Sequence, residues 1–262
     1  MEKQKTISKT VALAGSGIHT GNKVNITFKP AGVDSGVTFI RVDIAGTPRI
    51  KANVQALLFA PKSRRSSIAS LGAEVQTVEH FMAALSGLGV DNIDVEIDNH
   101  EVCGLDGSAV NFVEAIEKAG IEEQEKERYS FAVKEPICIE EGQSSITILP
   151  AKEFKISYTL NYDHPMLAAQ FLEVTVNPES FKTAIAPART FCLESEAREL
   201  QNQGLGLGAN YENTLVVGRD GVIKNKLRFE DEFVRHKILD LIGDLYLSGC
   251  PIRGHVVALK SG

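Results

Sequence analysis

The 262-residue chain has no tryptophan, only 6% aromatic residues and four cysteines. It lacks the compositional bias of a collagen, a disordered tail or a disulfide miniprotein, and with 43% apolar and 24% charged residues it can bury a core. A basic excess is also missing. Lys and Arg number 28 against 34 Asp and Glu, a formal net charge of −6, so phosphate-backbone binding is disfavoured and no nucleic-acid partner is expected. Cys103, Cys138, Cys192 and Cys250 form no CxxC pair and read as reduced core thiols. No apolar run approaches the ~18 residues a bilayer span requires, and the start carries no signal-peptide core, so a cytoplasmic protein with at most peripheral membrane contact is expected.

Organisation follows from periodicity. Thr10 to Gly15, Lys23 to Lys29 and Gly36 to Val42 read as short strands punctuated by Gly and Pro. Val78, Phe81, Met82 and Leu85 then recur at i, i+3, i+4 and i+7, the buried stripe of a helix expected to stop at Gly87. Asn92 to Asp98 alternates as a strand, and Ser108 is placed to cap a helix running to Ala119 with Gly120 as its stop. The charged stretch Glu122 to Arg128 has no apolar anchors, and the boundary between a domain of residues 1–125 and a second of 126–262 is expected there.

Two echoes suggest that the halves repeat. Asn25 to Ala31 resembles Ser145 to Ala151, and Leu85-Ser86-Gly87 with Val90, Val95 and Ile97 is matched in step by Leu247-Ser248-Gly249 with Ile252, Val257 and Leu259. Either echo alone can arise by chance. Under duplication, the first half continues past its last strand into a helix, whereas the second stops at Lys260-Ser261-Gly262, so a C-terminally shortened chain is expected. Between its echoes the second half carries extra material, including the apolar Leu167 to Val176, a polar helix over Glu194 to Gln203, and Gly204-Leu205-Gly206-Leu207-Gly208. That last loop reads equally as the lining of an apolar passage or as a mobile connector. It has no GK[ST] and is not a phosphate loop.

His236 and Asp240 lie four residues apart in a helix over Arg235 to Leu247, which puts an imidazole and a carboxylate on one face, with Asp244 a turn further on. A solvated helix face produces the same spacing. Glu79-His80, on a second helix with its own apolar stripe, supplies another imidazole and a free carboxylate, completing the N/O donor set with which zinc hydrolases hold a metal and activate water. His19, His100, His164 and His255 read as structural. GxSxG does not occur, Cys192 has no visible activating base, and HExxH is absent, which disfavours nucleophilic catalysis and a zinc peptidase.

Five motifs, GSGIHTG (15–21), TVEH (77–80), LDGSA (105–109), ARTFC (188–192) and RHKILDLIGDLYL (235–247), together resemble the UDP-3-O-acyl-N-acetylglucosamine deacetylase family of lipid A synthesis, in order and across nearly the whole chain. The resemblance implies an α+β fold of two similar domains, each a helix pair packed on a mostly antiparallel sheet. It makes His80, His236 and Asp240 ligands of Zn2+, or of Fe2+ in its place, and Glu79 the base that takes a proton from water. Thr190 would hold the oxyanion, Lys237 would add positive charge near substrate, and Phe191 would pack on the sugar or acyl group. Asp244 would pair with a histidine that in the family follows the Ser-Gly matching Ser261-Gly262. Leu167 to Val176 would belong to an acyl-chain passage.

The implied partner is a UDP-linked, 3-O-acylated glucosamine, bound by a monomer. Loss of the general-acid histidine after Gly262 is expected to slow carbon–nitrogen cleavage by ~10²–10⁴-fold. A non-catalytic homologue that binds zinc or a UDP-sugar lipid is the alternative reading.

Overall fold

The computed structural model describes residues 2–59 and 64–261 and has an α+β architecture built on two main sheets. The first contains β1 (Val11–Ser16), β2 (Lys23–Pro30), β3 (Val37–Arg41), β4 (Arg49–Lys51) and β5 (Ile93–Ile97), in the order β1-β2-β5-β3-β4. The second contains β6 (Ile137–Glu141), β7 (Ser144–Leu149), β8 (Phe154–Leu160), β9 (Gln170–Thr175) and β10 (Ile252–Leu259), in the order β6-β7-β10-β8-β9, with Phe131–Ala132 also pairing with β10. Both sheets thus run first, second, fifth, third, fourth. In each, the last strand pairs antiparallel with the second and parallel with the third.

The period-2 alternation is realised directly. Val24, Ile26 and Phe28 of β2 and Ile93, Val95 and Ile97 of β5 are buried, and Phe28 stacks on Phe81 with ring centroids 4.7 Å apart. Phe81 also meets Phe39 and Phe112 edge-on at 5.9 and 5.5 Å, so four phenylalanines form one cluster in the first half's core. Phe81 lies on α1 (Glu79–Leu88), and Phe112 on α2 (Val110–Ala119), which packs on α1 and β1. Full burial of one such side chain contributes roughly 1.5–3 kcal/mol.

A third helix, α3 (Glu194–Asn202), matches the expected polar helix, and α4 (Glu232–Tyr246) carries His236 and Asp240. Its apolar residues cover most of its circumference because it packs on α1 as well as on β8 and β9. α1 and α4 approach closely at Gly243, where a Cβ would lie 2.0 Å from the Glu79 carbonyl oxygen. Only a residue without a side chain fits there.

Several expectations are corrected. Residues 121–127, where the domain boundary is expected for want of crossing contacts, form a strand paired antiparallel with Lys3–Ile7. Its alternation is invisible in the sequence because its one partly covered side chain is polar: Gln124 accepts from Asn92 Nδ2 at 2.6 Å and donates to the Ala31 carbonyl at 2.8 Å. α1 runs through Gly87 to Leu88 and ends at Gly89. The Ser108 hydroxyl accepts from Val110 N at 3.2 Å, but the helix N-cap is Ala109. Cys138 is exposed on β6, not a core thiol. Leu167 to Val176 is not an insertion, since most of it is β9, the edge strand of the second sheet.

The second echo is out of step by one residue. Phe28 pairs with Val95 in the first sheet, whereas its counterpart Ile148 pairs with Val256, not Val257. A slip of one residue turns a strand over, and Val257 is accordingly exposed where Val95 is buried.

Candidate active site

The site forms where α1 and α4 cross. His80, in the first turn of α1, and His236 and Asp240, one turn apart on α4, bring ligand atoms within 4.8 Å of one another. Asp240 Oδ1 lies 3.5 Å from His80 Nε2 and 3.3 Å from His236 Nε2. The two imidazoles meet edge to face with centroids 4.9 Å apart. No other such group of His, Cys, Asp or Glu occurs among the described residues.

This donor set fits a small divalent cation. Ligands at ~2.0–2.1 Å around a tetrahedral zinc are separated by ~3.3–3.4 Å, close to the observed carboxylate–imidazole spacings. His236 is also oriented for the task. Its Nδ1 lies 3.1 Å from the Ala188 carbonyl, which can only accept, so Nδ1 carries the proton and the Nε2 lone pair faces Asp240 and His80. Zinc and ferrous iron both suit two imidazoles and a carboxylate.

Charge is balanced by neighbours. Burial lowers the His236 pKa to about 4, so that imidazole is neutral. Burial also opposes protonation of His80, but contact with Asp240 outweighs it and raises the pKa. The Asp240 carboxyl, despite burial, is held far below its usual range by His236, Lys237 and His80. Lys237 Nζ is 3.1 Å from Asp240 Oδ2, and that carboxylate, with Tyr158 and Tyr162, keeps the ammonium charged against the cost of burial.

Glu79 is buried beside His80, and burial first, then Asp244 and Asp240, raise its carboxyl to about 7 despite the opposing pull of His80. Its Oε2 accepts from Ser66 N at 3.0 Å. Asp244 is exposed on α4, yet the protein around its carboxyl desolvates it and raises it to about 6, while the Ser66 hydroxyl pulls the other way. Two carboxyls poised near neutrality flank a cation-binding donor set, an arrangement suited to moving protons during hydrolysis.

Phe191 reaches the site from the segment between β9 and α4, and Thr190 directly precedes it. Thr190 N donates to Gly107 O at 2.8 Å, fixing the ARTFC segment to the turn of LDGSA. Phe191 starts a short strand that pairs with Leu215–Gly218, and its ring stands 6.3 Å from His236 and 5.0 Å from Phe233.

The structure also assembles residues that sequence reasoning did not single out. Arg189 and Glu232 form a buried ion pair, Nε to Oε1 at 2.9 Å, and Glu232 Oε1 accepts from Arg189 N at 3.0 Å. This pair ties the Thr190 segment to the first turn of α4, one turn before His236. The partners are separated by 43 residues, and neither periodicity nor motif spacing links them. Ser66, which bonds both Glu79 and Asp244, likewise carried no local signal.

The glycine loop at 204–208 is docked, not a free connector. Leu207 N and Gly208 N donate to His19 O and Ile18 O at 3.1 and 3.0 Å, and a Cβ at Gly208 would lie 2.1 Å from the Gly17 carbonyl. The turn it meets is held by Glu101, which accepts from His19 N and Thr20 N, each at 2.8 Å. His19 is buried, but its imidazole does not satisfy the turn: the bond to Glu101 is made by its backbone, and its Nδ1 has no hydrogen-bond partner. His255, also expected to be structural, meets the Ser157 hydroxyl at 2.8 Å on the second sheet.

Comparison with known proteins agrees with this geometry. Residues 4–262 match the family model described as UDP-3-O-acyl N-acetylglycosamine deacetylase. A UDP-3-O-acyl-N-acetylglucosamine deacetylase of Citrifermentans bemidjiense is 42% identical over 261 residues, 99% of this chain and 85% of the relative. The enzyme of the same description from Thermodesulfovibrio yellowstonii is 42% identical over 259 residues, 99% of this chain and 87% of that one. A Myxococcus xanthus relative is 38% identical over 260 residues, 99% and 82% of the two chains. The chain therefore belongs to the UDP-3-O-acyl-N-acetylglucosamine deacetylase family, a family of hydrolases.

Proposed function

We propose that the protein is a zinc amidohydrolase that removes the acetyl group from the 2-acetamido nitrogen of UDP-3-O-acyl-N-acetylglucosamine, an early step of lipid A synthesis. The observation that carries this reading is the convergence of His80, His236 and Asp240 beside the buried Glu79, in a chain of this family. His80, His236 and Asp240 would hold the ion. When bound there, zinc supplies a Lewis acid that makes water acidic near neutral pH and polarises the acetamide carbonyl.

Glu79 accepts the proton that water loses as its oxygen bonds to the carbonyl carbon. The Thr190 hydroxyl and the Lys237 ammonium face the negative charge that the former carbonyl oxygen gains. When the carbon–nitrogen bond breaks, the amine takes a proton, which Glu79 can return, and acetate and a free amino sugar leave. A carboxyl held near 7 can do both, being neither too weak a base nor too weak an acid. Phe191 packs on the sugar or acyl group, and Asp244 acts in the same proton exchange.

The shared strand order of the two sheets supports a duplicated two-layer arrangement of two units, with the boundary moved from residue 125 to the end of the 121–127 strand and the site at their seam. We place the reaction in the cytoplasm, on a monomer with at most peripheral membrane contact, because the substrate is a nucleotide sugar. Among the described residues no helix is long and apolar enough to cross a membrane.

The test is acetate release, followed by mass spectrometry, from zinc-loaded protein and UDP-3-O-acyl-N-acetylglucosamine. Wild type should turn over, Glu79→Gln should keep its zinc and lose ~10²–10⁴-fold in kcat, and His236→Ala should lose the metal. Absence of turnover by zinc-loaded wild type refutes the proposal.

A further inference from the structure

Ser66 stands just before a hairpin strand, Ser67–Ser70, in the segment between β4 and α1. Its three polar backbone and side-chain groups all go to the helix crossing. The amide donates to Glu79 Oε2 at 3.0 Å, the hydroxyl donates to Asp244 Oδ1 at 2.5 Å, and the carbonyl accepts from Val78 N at 3.2 Å, immediately before α1. One residue therefore bridges a carboxylate of the first half and a carboxylate of the second, across 178 residues of sequence in the case of Asp244.

Two carboxylates brought together in a crowded cleft repel each other and drift apart unless a donor holds each one. A lysine or arginine between them would neutralise the pair. A neutral residue that donates once to each fixes their separation without adding charge, and it commits one oxygen of Glu79, leaving the second for proton exchange.

We infer that Ser66 is a positioning residue that sets the geometry of Glu79 relative to Asp244 by donating from its amide to one and from its hydroxyl to the other. This rests on the deacetylase reading for its kinetic consequence, though not for the bridge itself. The hydroxyl is the separable part, since Ser66→Ala keeps the amide bond and removes the link to Asp244, and Ser66→Thr keeps both.

The experiment compares Ser66→Ala and Ser66→Thr with wild type for kcat, KM and zinc content, and runs a double-mutant cycle with Asp244→Ala in urea unfolding. Ser66→Ala should lower kcat by ~10- to 100-fold with KM and bound zinc unchanged, and Ser66→Thr should recover most of the loss, because misplacing a reacting group is what slows the step. In the cycle, Ser66→Ala should lower the urea midpoint in the wild-type background and not in the Asp244→Ala background, where the acceptor is gone. An Ala variant as fast as wild type, or a Thr variant as slow as Ala with full zinc, overturns the kinetic role. Additive midpoints overturn the bridge. If wild type itself releases no acetate, the deacetylase reading fails, and the cycle still decides whether Ser66 couples to Asp244.

Discussion

The two main sheets share one strand order and one pattern of parallel and antiparallel pairs, yet their first strands sit in different surroundings. In β1, Leu13, opposite Ile26, packs against the core beneath α2. In β6 the corresponding Ile139, opposite Ile146, is 71% exposed, and Ile137 is 46% exposed. Both isoleucines alternate toward the face that carries Val256 and Ala258, the core side of their sheet. Strand order is thus set by backbone pairing and local pattern, while burial depends on what packs over the strand. The same sheet template can be complete as hydrogen-bonded structure and incomplete as core.

The strongest way to break this comparison acts on the seam that both halves share. Gly243→Ala would drive a methyl group into the Glu79 carbonyl and push α1 from α4, at a cost of about 3 kcal/mol or more, with zinc affinity lost alongside stability. Urea unfolding and metal analysis check it, and an unchanged midpoint would mean that the helices are not in the contact described. A sharper comparison uses the two first strands. Leu13→Ala should cost about 1–2 kcal/mol, whereas Ile139→Ala should stay within about 0.5 kcal/mol. Equal losses in urea would show that β6 is covered in solution.

The smallest effect is expected at a clasp between the halves, where Arg228 Nη2 lies 2.9 Å from Asp106 Oδ2. Burial works against the Asp106 charge, but Ser108 and Arg228 hold its carboxyl below the ordinary value. A carboxyl lowered on folding stabilises above its unfolded pKa of ~3.9, and that contribution is lost as pH falls through the folded value. Asp106→Asn should therefore reduce the Tm slightly at pH 7 and have less effect near pH 3. A Tm difference that is constant with pH would remove the charge from the account.

Much of the site was legible because its chemistry sits inside strongly periodic helices. The stripe through Val78, Phe81, Met82 and Leu85 announced α1, and the i, i+4 spacing of His236 and Asp240 announced a shared face. What escaped notice was held by polar contacts over long separations. Residues 121–127 pair as a strand around Gln124, Arg189 reaches Glu232, and Ser66 reaches Asp244. Hydrogen bonds and ion pairs of this kind leave no period in a sequence. The glycine loop was ambiguous for another reason: only the carbonyl of Gly17 shows why Gly208 has no side chain.

By itself the amino-acid order determined which segments coil or extend and which side of each is apolar, because those properties arise between residues a few positions apart. Tertiary structure alone decided that His80 meets His236, that Ser66 lies between two carboxylates, and that one sheet edge is covered and the other bare. Those outcomes depend on distances between segments far apart along the chain, and no local spacing encodes them.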